Sequence, residues 1–235
     1  QLARRFQEAP VTLNFDPAAR LPDGRTVLDA LLADPVYRNA HETGRSGGLE
    51  PGRRREAAEN AMFPELEGRS AAERPKYAAL NTADDPAGAA PRYGEVSLVL
   101  KDEVKRRSTL TPEDSLDMAA LDPKAKNEFL AMSVFTFETP LALLRRMDRG
   151  PLLNMARADK GQKPPYVEVQ VHGPLRLDSD FSAVAAPRRL KGTETGAKLE
   201  GLAKANGLEM RWHDAPPVQR PAADIGGGLR PSAGA

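Results

Sequence analysis

Tyr166-Val167-Glu168-Val169-Gln170-Val171-His172, closed by Gly173-Pro174, is the stretch that decides the reading of this chain. Valines alternate with larger polar residues, and a period of two marks a strand rather than a helix. Val167, Val169 and Val171 fall on one face, while Tyr166, Glu168, Gln170 and His172 fall on the other. Same-face neighbours stand about 6.6 Å apart at the strand rise. A row of carboxylate, amide and imidazole at that spacing can line a cleft and touch one extended polar ligand at several points. The same alternation also fits the solvent-facing side of an antiparallel sheet.

Outward from this strand the pattern is mixed. Downstream, Thr195 to Asn206 reads as an amphipathic helix stopped by Gly207, and Leu208 to His213 as a final strand. The Pro/Gly/Ala-rich stretch 215–235 has no periodicity and is expected to be a mobile tail. Upstream, Ser133 to Thr139 reads as a strand, and Leu141 to Met147 as a helix with Pro140 near its first turn. Glu95 to Lys101 alternates with Val96, Leu98 and Leu100 on one face, and Lys76 to Leu80 is a further short strand. Residues 11–68 read as mostly helical. Val27, Leu28, Leu31 and Leu32 recur at helical spacing, Thr26 with Asp29 resembles a capping box, and Pro35 falls at the helix end. A second helix is expected over Arg53 to Phe63. The sum is an α+β protein: a helical N-terminal segment (11–68), a mostly antiparallel β core with inserted helices (69–214), and the tail.

Two local stretches carry candidate chemistry. In Glu42-Thr43-Gly44-Arg45-Ser46-Gly47-Gly48 the glycines allow close approach of a ligand, although a flexible connector explains them equally. In Thr111-Pro112-Glu113-Asp114-Ser115, Thr111 reads as a helix N-cap, Pro112 as the first helical residue, and the acids as first-turn residues. A carboxylate held there by backbone N–H groups stays ionised and is well placed for function.

Composition excludes several classes. Across 235 residues, 34 basic side chains face 33 acidic ones, for a formal charge of +1. That balance gives no electrostatic case for nucleic acid or for an anionic membrane, so Arg53-Arg54-Arg55 reads as a solvated helix face. No window approaches about 18 apolar residues, so no spanning helix is expected. The chain has no cysteine, which removes disulfides, thiolate metal sites and cysteine nucleophiles. His41, His172 and His213 are too scattered for a usual zinc site, and no metal is expected. No signal peptide pattern opens the sequence. Neither a glycine-rich dinucleotide fingerprint nor a nucleophile elbow is present, which leaves no support for a Rossmann dehydrogenase or a serine hydrolase.

The run Asp29-Ala30-Leu31-Leu32, Tyr37-Arg38, Glu42-Thr43-Gly44-Arg45-Ser46, Arg74-Pro75-Lys76-Tyr77-Ala78-Ala79-Leu80-Asn81, Pro91-Arg92-Tyr93-Gly94, Asp114-Ser115 and Glu168-Val169-Gln170-Val171-His172-Gly173 resembles one bacterial family in order and spacing. It is the CteC-type ADP-ribosyltransferase family, formerly a domain of unknown function. Its members resemble poly(ADP-ribose) polymerases in fold and mono-ADP-ribosylate ubiquitin on a threonine. The resemblance covers roughly residues 11 to 213.

It implies a split-β ADP-ribosyltransferase core that uses NAD as co-substrate, without a metal, and works with an Asp–Glu pair. The glutamate is matched by Glu168 and the aspartate by Asp114. This chain has Pro112-Glu113 before that aspartate where relatives carry a glycine, so Glu113 competes for the assignment. Arginines are natural partners for the NAD pyrophosphate. Arg74 comes first and Arg38 next, with Thr43, Gly44 and Ser46 as further donors to the dinucleotide, Tyr77 and Tyr93 as stacking partners or core residues, and Gln170 on the Glu168 face.

The implied function is mono-ADP-ribosylation of a protein, with ubiquitin as acceptor, by a monomeric secreted effector acting in a host cytosol. NAD hydrolysis by water and an inactive host-protein-binding module are the alternatives. Surfaces open to an acceptor are the helical start, the exposed face expected for Arg53 to Glu59, and the region from Met118 to Lys163, in which Leu152, Leu153 and Met155 read as core residues or as a docking patch.

Overall fold

A computed structural model describes residues 2–44, 53–116, 118, 130–139, 142 and 166–216. Among them eight strands form one sheet: β1 (Val11–Phe15), β2 (Lys76–Leu80), β3 (Val96–Leu100), β4 (Ser108–Thr111), β5 (Phe135–Thr136), β6 (Glu168–Val171), β7 (Phe181–Pro187) and β8 (Glu209–His213). Their spatial order is β5-β4-β6-β2-β1-β3-β7-β8. All pairings are antiparallel except β7 with β8, which is parallel. The chain is therefore α+β, with a mostly antiparallel sheet. A parallel pair needs a crossover, and the helix Glu194–Ala205 supplies it. Thr193 caps its start, Leu199, Leu202 and Ala203 are buried along one side, and Gly207 follows its end with φ of 65°. That left-handed conformation is one glycine adopts without steric cost.

β1 joins two halves of the sheet. It pairs with β2 through Val11 and Thr12, then with β3 through Thr12 to Phe15. β4, β6 and β2 thus lie on one side of a short seam, and β3, β7 and β8 on the other. Val96, Leu98 and Leu100 enter one core cluster with Leu13, Val167, Val169, Val171 and Leu199. The valine face of the 166–172 stretch is the core face, as its alternation predicts.

Residues 11–68 differ from a mostly helical segment at one decisive place, since β1 is central to the sheet. Its sequence, Val-Thr-Leu-Asn-Phe, does alternate apolar and polar residues, but over only five positions, and its burial pattern shows that even Thr12 is covered. The helix α1 (Leu2–Glu8) precedes this segment, and α2 (Val27–Ala33), α3 (Ala40–Thr43) and α4 (Arg53–Met62) lie within it. Thr26 caps α2 by accepting from the Asp29 N–H, and α2 ends before Pro35. The strand expected over Ser133 to Thr139 is confined to β5 at the sheet edge. β7 was not anticipated. The expected helix from Leu141 to Met147, the acceptor surface around Leu152, and the tail beyond residue 216 lie outside the described residues, Ala142 excepted. No described helix is long and apolar enough to cross a membrane.

The turn Pro91–Tyr93 is tied onto β1. The Asn14 side chain donates to the Ala87 carbonyl at 2.7 Å and to the Gly94 carbonyl at 3.0 Å. Gly94 comes so close that a Cβ there would lie 1.8 Å from the Phe15 carbonyl carbon. Backbone cannot rotate away as a side chain can. Gly94→Ala is therefore expected to cost at least the upper part of the about 1–3 kcal/mol typical of overpacking. A urea midpoint equal to that of the wild type would show that the turn moves off β1 freely.

Candidate active site

The polar face of β6 is not solvent-facing. β6 lies between β2 and β4, and Glu168 stands in register with Ala79 on one side and Thr111 on the other. Gln170 stands between Tyr77 and Thr109. α4 and the turn carrying Arg92 and Tyr93 reach over this face, so that Glu168 is 2% exposed and Gln170 fully buried. A buried charge must be paired or change its protonation. Glu168 does some of each.

Asp114 comes to Glu168 from the segment that follows β4. Thr111 is the last residue of β4, and its hydroxyl donates to the Glu113 carbonyl, so it is not the N-cap that the sequence suggests. Helical geometry begins at Ser115. Asp114 occupies the capping place instead, its Oδ1 accepting from the Leu116 N–H at 3.0 Å. Asp114 is 4% exposed in the cluster, whereas Glu113 faces outward.

A tyrosine links the two carboxyls. The Tyr166 hydroxyl lies 3.2 Å from Asp114 Oδ2 and 3.4 Å from Glu168 Oε2. Tyr93 donates to the same Asp114 oxygen at 2.9 Å, and Arg92 Nη2 reaches it at 3.2 Å. The Arg92 guanidinium lies over both tyrosine rings, 4.5 Å from the Tyr93 centroid and 5.1 Å from that of Tyr166. Glu168 Oε1 accepts from the Ser115 N–H at 3.2 Å and from Gln170 Nε2 at 3.0 Å.

Two acids this close in a dry site cannot both ionise at their ordinary pH. Burial, and next the Asp114 charge, push the Glu168 carboxyl up to about 7, against the pull of Arg55 and of the Ser115 and Gln170 hydrogen bonds. Burial also raises Tyr93 and Tyr166, so both hydroxyls remain protonated donors at neutral pH.

The remaining expected residues divide clearly. Tyr77 adjoins Gln170, and its ring carries the Arg55 guanidinium 4.3 Å from its centroid. Arg74, the first choice for pyrophosphate, is instead 3% exposed and paired with Glu59 at 2.9 Å and Glu56 at 3.1 Å. Those acids already meet its charge, so the assignment to phosphate is withdrawn. Arg38 is exposed and pairs with Asp34 and Glu42, apart from the carboxylate cluster. Thr43 bonds the Asn39 carbonyl, and Gly44 ends α3 in a left-handed conformation, φ 64°. Ser46 lies outside the described residues.

The reading of Arg53 to Glu59 as an exposed face fails at Arg55, Ala58 and Glu59. Arg54 is exposed, but Arg55 turns inward toward Asp114, and Glu59 is completely buried. Charge reversals across this stretch would disrupt the site and cannot isolate an acceptor surface. Tyr166, Tyr93, Arg92, Arg55 and Ser115 are the cluster residues that sequence reasoning did not assign to catalysis. Tyr166 had a signal, since it shares the Glu168 face. Among the described residues no group of three or more His, Cys, Asp or Glu could hold a metal ion.

The model of the family described as "Protein of unknown function (DUF3626)" matches residues 10–132 and 141–232. No curated protein matches the chain.

Proposed function

The chain belongs to the DUF3626 family, and from the cluster it builds around Asp114 and Glu168 we propose that it is an NAD-dependent mono-ADP-ribosyltransferase with a protein acceptor, ubiquitin on a threonine. The observation that carries the reading is the meeting of these two carboxyls, distant in sequence, through one tyrosine hydroxyl. A split-β core is the finer fold reading. It is supported by the narrow Val11–Thr12 seam between the two halves of the sheet.

The chemistry needs what this cluster holds. When the bond between ribose C1′ and the nicotinamide nitrogen breaks, its electron pair leaves with nicotinamide and positive charge grows on the ribose. Ionised Glu168, fixed on a central strand, stabilises charge that exists only in the transition state. The acceptor hydroxyl oxygen forms the new bond to C1′, and its proton passes to a base and then to water. Asp114 is placed for that role, or to orient the ribose hydroxyls. Arg92 Nε and Nη1 are buried without a hydrogen-bond partner among the described residues, and substrate oxygens would satisfy such donors. This donor set suits a ribose and its phosphates. We further propose a secreted effector working as a monomer in a host cytosol.

Nicotinamide release from NAD, measured with and without ubiquitin, tests the assignment. Release that depends on ubiquitin is expected. Equal release without any protein acceptor would make the protein a glycohydrolase, and no release in either case would favour an inactive binding module.

A further inference from the structure

Arg55 sits where the composition of its run would not put it. One turn later on α4 stands Glu59, on the same helix face. Between them they clamp Tyr77. Arg55 lies over the ring, and Glu59 Oε1 accepts the phenol hydrogen at 3.0 Å. Glu59 is itself immobilised, because its other oxygen takes Arg74 Nη1 at 2.9 Å and His41 Nε2 at 3.0 Å. Its fixed end lies on α3 and β2, its working end at the carboxyl pair. Arg55 Nη1 donates to Ser115 Oγ at 2.9 Å, and Nη2 stands 3.9 Å from Asp114 Oδ1. Ser115 is the residue whose N–H holds Glu168.

We propose that Arg55, held by the Tyr77–Glu59 anchor, is a positioning residue that holds Asp114 and Glu168 in register and sets its positive charge against the pair. The need for such a cation follows from the surroundings of Glu168. On its own strand lie Tyr166 and Gln170; from β4 comes Thr111; from the segment after it, Asp114 and Ser115; from β2, Tyr77; from the Pro91–Tyr93 turn, Arg92 and Tyr93, which act on Asp114. Arg92 serves one carboxyl directly. Among the described residues Arg55 bears on both, and its pull on Glu168 opposes burial and the Asp114 charge. Burial works against the Arg55 cation too, but Tyr77, Glu168, Asp114 and Glu59 overcome it and hold its proton above the ordinary range.

The test is the titration of Glu168 in the intact protein, followed by NMR of carboxyl-13C-labelled glutamate, with the Glu168 signal assigned by Glu168→Gln. Arg55→Gln is expected to move its midpoint to higher pH by on the order of 1 unit, the lower end for losing an opposite charge at such range. Arg55→Lys, which keeps the charge but loses the fork and the planar stack, should move it far less. Should Arg55→Gln fail to fold, Arg55→Met keeps the packed stem and serves as the uncharged variant. A simple structural tie would destabilise the Gln and Lys variants alike with an unmoved midpoint, and that result overturns the proposal. So does an equal shift in both.

The titration does not depend on the transferase reading; only a second arm rests on it. There, nicotinamide release by Arg55→Gln at pH 7 should fall on the order of 10-fold and recover as the pH is raised past the new midpoint. A Glu168 shift in a protein that never releases nicotinamide would sink the transferase and leave the role of Arg55 standing. Turnover by the wild type with Glu168 unmoved in the uncharged variant would do the reverse.

Discussion

Glu168→Gln is expected to lower NAD turnover on the order of 100-fold or more, the usual loss when one preorganised electrostatic group is removed. The substitution keeps the shape and the oxygen that accepts from Ser115 and Gln170. What it removes is the negative charge that the proposed mechanism sets against the ribose. Stability should not fall with it, and the sign can be worked out. Because the folded protein holds the Glu168 proton up to about 7, above the ordinary 4.5, it binds more protons than the unfolded chain between those values. Wild-type stability therefore declines through that window as pH rises. The Gln variant lacks this decline, so its stability advantage should grow from about pH 4.5 to 7. Urea midpoints across that range check the stability, and nicotinamide release checks the rate. Near-normal turnover by the variant would remove Glu168 from the chemistry. Wild-type activity itself should rise as pH increases through 7, since only the ionised carboxylate stabilises the cation.

Asp114→Asn is expected to be the second severe loss, again on the order of 100-fold. Asparagine caps a helix about as well as aspartate, so the bond from the Leu116 N–H survives. The lost charge leaves Arg92 and Arg55 with one acid fewer, but Glu168, freed of its like-charged neighbour, ionises at lower pH and compensates in part. A small shift in melting temperature with a large loss of transfer is the predicted combination. Glu113→Gln is the control. Glu113 is exposed and contributes its backbone carbonyl to Thr111, so its side chain should be dispensable. An inactive Glu113→Gln beside an active Asp114→Asn would move the role proposed for Asp114 by one residue.

These residues were legible in the sequence to very different degrees. Alternation in the 166–172 stretch fixed which residues share the face of Glu168, because a strand leaves no other arrangement. It could not say what covers that face. Polar residues on an antiparallel strand usually meet water, and burial here comes from α4 and the Pro91–Tyr93 turn, both remote in sequence. Arg55 illustrates the same limit. In a run of three arginines nothing local separates the one that turns inward from its exposed neighbour Arg54. Arg74 shows the converse, since a cation suited to phosphate also suits the buried Glu59 and the exposed Glu56, and only tertiary packing decides between them. Among the strands, β3 and β6 were readable and β1 and β7 were not. β7, Phe-Ser-Ala-Val-Ala-Ala-Pro, is almost entirely buried, Ala-rich and closed by proline, so neither period nor propensity marks it. The local reading of Asp114 differs from the structure in one respect, with Thr111 ending a strand rather than capping a helix.

The most direct test of the central claim is the intact mass of ubiquitin after incubation with this protein and NAD. The account predicts the addition of one ADP-ribose unit, retained on a threonine-containing peptide, and none with Glu168→Gln. Ubiquitin of unchanged mass, with NAD neither transferred nor consumed, would contradict it.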